Sequence, residues 1–418
     1  MRDVVALLMA GGVGSRLNIL VRHRAKPAVP FGGAYRIIDF TLSNVTNCDL
    51  SRVAILTQYK PLSLMDHVGD GSAWDLSGRT RSVKILPPKT GEKDWDWYKG
   101  TADAVRQNLD FVTDGAYKEV LILSGDHIYC MDYRPLVKFH RDHKAHVTIG
   151  MLPVPWEETQ NFGVGITDEH DRIIDWQEKP DKARSNLASM GIYVFDRKYL
   201  VQALQETKEE DFGHHIIPKA LKEAKVYGYL FRSYWRDAGT IQAYWDANMD
   251  LLDPQAALRP HLPHIKTNHA AEKMFYDRPP MRIIKGATVV NSLLSPNCTI
   301  MGKVENSVLS PGVVVENGAL VKDSVIMHDS IIRSGAHVER CIIDKQAIIG
   351  KKAIVGPGDP SVRNTKYPSH VYSGLTVIGK QAIIPDTVRV GTNCIISSEA
   401  QETDFGSGVL SDGQTIER

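Results

Sequence analysis

The chain has 418 residues, 43% of them hydrophobic and 24% charged, and 50 basic against 49 acidic side chains leave a formal net charge of +1. That length exceeds one small core and predicts about two or three domains. The balanced charge excludes a global field favouring nucleic acid or an anionic membrane. The cysteines at 48, 130, 298, 341 and 394 form no Cys-x-x-Cys pair, so neither a structural zinc site nor a redox motif is indicated. Their odd, scattered count suits a reducing cytoplasm.

The first predicted element is a buried β-strand over the apolar run Val4–Ala10, far short of the ~20 residues that cross a bilayer. Ala-Gly-Gly-Val-Gly-Ser-Arg-Leu (10–17) follows directly. Gly11, Gly12 and Gly14 would let backbone N–H groups approach phosphate oxygens closely. Arg16 adds a forked cation and Lys26, in Lys-Pro-Ala-Val-Pro, a second one. The turn lacks the Gly-Lys-Ser/Thr ending of a P-loop and does not fit Gly-x-Gly-x-x-Gly, so alone it is equally compatible with a plain βα turn.

Further strands are predicted at Val53–Thr57, Val120–Ser124, Val147–Met151, Gly163–Thr167, Ala188–Phe195 and Val226–Phe231, with a helix over 101–113. Alternating strands and helices predict an α/β domain with a mostly parallel, Rossmann-like sheet over residues 1–253. Five prolines between 254 and 282 mark an interdomain connection, taken as 254–285. From 286 to 418 an aliphatic recurs every six residues: Val308, Val314, Leu320, Ile326, Ile332 and Val338, then, after a slip, Ile342, Ile348 and Ile354, then Ile378, Ile384, Val390 and Ile396. This period predicts a left-handed parallel β-helix of hexapeptide repeats, each pointing one aliphatic inward.

Leu123-Ser124-Gly125-Asp126-His127 ends a strand with a carboxylate, where parallel α/β sheets bind ligands. Asp237, in Tyr-Trp-Arg-Asp-Ala-Gly-Thr (234–240), offers a second one; it would hold a metal with Asp126 or cap the helix beginning near Thr240. Glu178-Lys179-Pro180 would reach a sugar and its phosphate, or be solvated surface. The Thr101 hydroxyl and the helix N–H groups after Trp97–Gly100 would serve a ligand, or cap the helix.

Together with RAKPAVPFGGAYRIIDF (24–40), WYKGTADAV (97–105), SGDHIY (124–129), ASMGIYVF (188–195), Asp211-Phe212-Gly213 and YWRDAGT, these segments occur in the order that resembles bacterial glucose-1-phosphate adenylyltransferases. The resemblance implies a nucleotidyltransferase domain before the β-helix, an ATP-dependent reaction on α-D-glucose 1-phosphate, Mg²⁺, phosphorylated small-molecule effectors, a homotetramer and a cytoplasmic enzyme of glycogen synthesis. It implies catalytic roles for Arg16, Lys26, Asp126 and Asp237, with the two aspartates as metal ligands. Tyr98, Gly163, Glu178, Lys179, Ser189, Asp211 and Trp235 would hold glucose 1-phosphate. Gly11, Gly12, Gly14, Gln58, Trp97, Gly100 and Thr101 would hold the nucleotide. His23, Arg24 and Arg36 match positions near a regulatory site. Neither nucleic acid nor membrane is an expected partner.

The chain departs from the family pattern at several positions. Val13 stands where the family usually has arginine, His23 and Ala34 where it has lysines, and His214-His215 where it has Lys-Asp. Effector choice is therefore not implied. Three other readings stay open: a catalytically poor regulatory subunit, which Val13 favours; acyl transfer through His328, His337 or His370; and the same chemistry on another nucleotide or sugar.

Overall fold

The structure is a computed structural model, which describes residues 1–89, 97–268, 278–406 and 408–418. Val4–Met9 lies third from one edge of a nine-stranded sheet, parallel to Arg52–Leu56 on one side and to Glu119–Ser124 on the other. Ser82–Leu86 closes that edge. Leu187–Asp196 then runs antiparallel to Glu119–Ser124, Val147–Pro153 and Gly163–Thr167, and Ile173–Glu178 antiparallel to Gly163–Thr167. Val226–Leu230 pairs in parallel with Val147–Pro153. The sheet is thus mixed but mostly parallel.

Val4, Ala6 and Leu8 belong to the core on one face of the sheet, and Val5 and Leu7 to the core on the other. Double burial is why this strand reads as an unbroken apolar run. All seven predicted strands are present. Ser82–Leu86 was not predicted, because its serine and lysine break the apolar pattern of an edge strand that pairs on one side only. The predicted 101–113 helix is two helices, Thr101–Gln107 and Leu109–Thr113. Asn108, between them, leaves helical geometry and donates its amide to the Ala104 carbonyl and the Tyr98 hydroxyl.

The C-terminal part is a parallel β-helix with three sheets, of six, seven and seven short strands, consistent with a left-handed coil. Its first strand, Arg282–Ile283, falls inside the segment expected as connection. Val315 pairs with Ile332 and Ile332 with Ile349, so each of these coils takes seventeen residues rather than eighteen. One side of each coil is therefore a residue short, and the inward series reads Leu309, Val315, Val321, Ile326, Ile332, Val338, Ile343, Ile349 and Val355. This corrects the predicted register. Ile326, Ile332, Val338, Ile378, Ile384, Val390 and Ile396 do face the core. Val308, Val314, Leu320, Ile342, Ile348 and Ile354 each precede an inward residue, and a one-residue offset puts them on the opposite face.

That outer face is buried on one sheet. Val325, Ile342, Val377 and Ile395 pack with Leu17, Phe31, Phe40, Ile241 and Tyr244 in a single cluster that joins the two parts of the molecule. A strand buried on both faces needs two adjacent aliphatics, as in Val325-Ile326, Ile342-Ile343 and Ile395-Ile396. Polar contacts cross the same interface. The Arg24 guanidinium forks onto the Asp344 carboxylate at 3.0 Å with both groups buried, and Trp245 Nε1 donates to the Asp323 carbonyl at 2.9 Å. Among the described residues, no helix is long and apolar enough to cross a membrane.

Candidate active site

The site forms where neighbouring parallel strands end. Met9 and Ser124 are register partners, so the glycine-rich turn and the Asp126 loop leave the sheet side by side. The Gly125 N–H donates to the Met9 carbonyl at 3.0 Å, tying the two together. A second ribbon brings in the distant carboxylate: Trp235–Asp237 pairs antiparallel with His127–Tyr129, and Asp237 lies opposite His127. Asp237 does not cap the next helix. Thr240 does, its hydroxyl accepting from the Ala243 N–H at 3.1 Å. The bland reading of Asp237 therefore falls away.

Lys26 Nζ bridges the two carboxylates, 2.9 Å from Asp126 Oδ2 and 2.6 Å from Asp237 Oδ1. Gly14 makes room for it. Its φ of +65° suits glycine, and a Cβ there would meet Lys26 Cβ at 3.0 Å. Burial disfavours charge on all three groups, but the two carboxylates outweigh it for Lys26, and Lys26 with His127 outweighs it for each carboxylate, against the repulsion between the aspartates. Lys26 is held above its ordinary pKa, and Asp126 and Asp237 below the usual carboxylate range. The Ser124 hydroxyl donates to Asp126. Arg16 is more open. Its Nη2 lies 3.9 Å from Asp237 Oδ2 and its Nη1 donates to Asn161 Oδ1 at 3.2 Å.

A cavity of about 280 Å³ opens beside this cluster. Gly163, Glu178, Lys179, Ser189 and Asp211 line it, together with Arg16, Thr101 and Asp237. Lys179 sits at φ +45°, a strained value for a non-glycine residue, at the turn after Ile173–Glu178. A Cβ on Gly213 would come within 2.1 Å of Glu178 Oε2, so only glycine lets this carboxylate lie there. Burial pushes the Glu178 carboxyl above its ordinary range, Lys179 opposing the shift and Asp211 adding to it. A bulge between Ser189 and Tyr193, with Gly191 at φ +67°, breaks the strand pairing beside the cavity.

Two expected sugar contacts lie elsewhere. The Tyr98 ring is in the core, its hydroxyl donating to the Leu86 carbonyl at 3.0 Å, and it does not reach the cavity. Trp235 instead lines an adjoining cavity of about 470 Å³ with Arg16 and Asp237.

The expected nucleotide wall is assembled differently from the simple reading. The Tyr98 N–H donates to Gln58 Oε1 at 2.7 Å, and Gln58 Nε2 donates to the Tyr98 carbonyl at 3.3 Å. Gln58 thus holds the Trp97–Gly100 segment in place. The N–H groups of Ala102 and Asp103 donate to the Glu210 carbonyl, and the Thr101 hydroxyl to Asp211 Oδ2. These donors are committed to protein partners. Gly100 is required by proximity, since a Cβ there would lie 2.3 Å from the Glu210 carbonyl oxygen. Gly12 faces open space whereas Gly11 lies against Gln58 and the Leu56 carbonyl, Trp97 is exposed, and its neighbours 90–96 lie outside the described residues.

Of the three residues matched to a regulatory site, only His23 is exposed. Arg24 is committed to Asp344, and Arg36 donates to the Ser63 carbonyl and hydroxyl at 2.9 Å. One residue that sequence reasoning gave no role stands in the cluster: His127, whose Nε2 faces both carboxylates. Its place in the motif, directly after Asp126, was the available signal.

Oxygen and nitrogen donors of Asp126, His127 and Asp237 lie within 4.8 Å of one another, the one such cluster found among the described residues. Two carboxylates beside a glycine-rich turn fit a hard divalent cation. Comparison with known proteins agrees. Residues 5–254 match the nucleotidyl transferase family and residues 279–378 the GlmU-like C-terminal hexapeptide family. The glucose-1-phosphate adenylyltransferase of Thermomicrobium roseum is 48% identical over 446 aligned positions, covering 100% of this chain and 98% of its own. Those of Thermotoga maritima and Lachnospira eligens are each 47% identical, covering 100% and 99% of this chain and 99% and 98% of their own. The chain belongs to the glucose-1-phosphate adenylyltransferase family of nucleotidyltransferases.

Proposed function

We propose that this chain joins ATP and α-D-glucose 1-phosphate into ADP-glucose and diphosphate, in the cytoplasm, as the glucosyl donor for glycogen. The observation that carries this reading is Lys26 bridging Asp126 and Asp237 between the glycine-rich turn and the cavity of about 280 Å³. Asp126 and Asp237 would hold Mg²⁺, which supplies charge neutralisation on the phosphates when bound. Glu178, Lys179, Ser189 and Asp211 hold the sugar phosphate. Its phosphate oxygen, already anionic at neutral pH, forms a bond to the α-phosphorus while the bond to the leaving diphosphate breaks. No general base is needed. Arg16 and Lys26 face the charge that grows on the transferring group. Gln58 acts through the segment it holds. Tyr98 supports that same segment from below.

The finer organisation is proposed as well. Residues 1–253 form the catalytic unit, and 286–418 serve regulation and assembly. A cavity of about 480 Å³ between the glycine-rich turn and the last coils, lined by Arg22, Lys60, His370 and Arg418, suits a phosphorylated effector. An outward aliphatic stripe on the six-stranded sheet, Val314, Ile331, Ile348 and Ile383, suits assembly into a homotetramer.

The test is one reaction with Mg²⁺, glucose 1-phosphate and equimolar ATP, UTP, GTP, CTP and dTTP, products identified by mass spectrometry. ADP-glucose is the expected main product, absent with Asp126→Asn. Another nucleotide sugar would overturn the adenine assignment. No product, even with candidate effectors, would point to a regulatory subunit.

A further inference from the structure

His127 was given no role above, yet its ring is fixed more firmly than a bystander's. Nδ1 lies 3.1 Å from the Met190 carbonyl oxygen. A carbonyl only accepts, so Nδ1 carries the proton, and in the neutral ring Nε2 presents a lone pair. The Trp235 ring packs against the imidazole edge-on, with centroids 4.9 Å apart. A Cβ on Gly191 would lie 3.6 Å from His127 Cε1, so the backbone closes over the ring's other edge.

The lone pair is aimed at two anions. Nε2 lies 3.6 Å from Asp126 Oδ1 and 3.8 Å from Asp237 Oδ1. Both distances are too long for a hydrogen bond and short enough for one ion to touch all three atoms. Lys26 holds Asp126 through Oδ2 and Asp237 through Oδ1, and the Ser124 hydroxyl donates to Asp126 Oδ1, so a cation shared with His127 would draw on the remaining lone pairs of these carboxylate oxygens. A backbone carbonyl that fixes the tautomer of an imidazole facing carboxylates is the outer arrangement metal-binding histidines have.

We propose that His127 is a third, nitrogen ligand of the divalent cation held by Asp126 and Asp237. The inference rests on the reading that these two aspartates bind a metal. It has a chemical consequence. Imidazole favours cobalt over magnesium more strongly than carboxylate does, so the site selects for softer divalent ions than two aspartates alone would.

The experiment is pulsed EPR on the full chain with Mn²⁺ alone, with and without ¹⁵N-histidine, beside His127→Asn and Asp126→Asn, and Mg²⁺-supported ADP-glucose synthesis measured in parallel. A histidine-nitrogen coupling in the wild type is expected. It disappears in His127→Asn, whose Mn²⁺ dissociation constant rises roughly 10–100-fold. Titrations with Co²⁺ and Mg²⁺ should show the larger loss for Co²⁺. Should His127→Asn not fold, loss of the coupling in Asp237→Asn still assigns the nitrogen, since His127 is the histidine of this cluster. Absence of the coupling in the wild type, with Mn²⁺ binding still lost in Asp126→Asn, overturns the inference and leaves the metal reading standing. Mn²⁺ binding unchanged by every variant overturns both.

Discussion

The two parts of this molecule put charge in opposite places. In the β-helix the inward column is aliphatic, and pairs such as Lys322–Glu339 and Lys303–Glu305 sit on the outside. In the catalytic part, by contrast, Lys26, Asp126 and Asp237 are drawn inward at the strand ends, where burial disfavours each of them singly. The β-helix shows what a repeat achieves when packing alone decides. The strand ends show what is given up for chemistry. At the interface the β-helix faces the same problem, with the buried Arg24–Asp344 pair, Arg24 lying two residues before Lys26.

The largest expected effect tests the charged cluster. Lys26→Ala should lower kcat roughly 10²–10³-fold, as loss of a preorganised charge does, with the far-UV spectrum unchanged. A loss below tenfold would mean the bridge is structural. Next comes the interface. Asp344→Asn leaves a buried guanidinium without its counter-charge, and a broken buried pair costs about 3–5 kcal/mol. Denaturant unfolding of the full chain measures it. A change under ~1 kcal/mol would show that water reaches Arg24.

A sharper contrast lies within the β-helix. Ile349→Ala removes an inward side chain and should destabilise by about 2–5 kcal/mol, while Ile348→Ala, one residue earlier and half-buried, should lower stability far less. Equal losses would restore the register first read from the sequence. That register failed for a reason the sequence does hold. The aliphatics of Val325-Ile326 and Ile342-Ile343 come in adjacent pairs, and a six-residue period counted on the wrong member of a pair drifts by one. Asp126 and the glycine-rich turn were legible because each directly follows an apolar strand. Tyr98 misled, since WYKGT states a motif but not which way a ring points. His127 was overlooked because its place after Asp126 gains a meaning only once the ribbon register sets it opposite Asp237.

The smallest effect separates a buried charge that is compensated from one that is not. Lys26 offsets Asp126 and Asp237, whereas Glu178 is held above its ordinary pKa by burial, with Lys179 only partly opposing. The proton is therefore released from the unfolded chain first as pH rises. The stability tied to protonated Glu178 is fully present below the ordinary glutamate value of about 4.3 and is lost as pH passes the raised folded value. Glu178→Gln should remove that loss. Its Tm should exceed the wild type's by roughly 1–3 °C at pH 7, and the gap should close toward pH 4. A gap independent of pH would mean that the variant acts through packing against Gly213 instead, and that Glu178 is as well compensated as the aspartates beside Lys26.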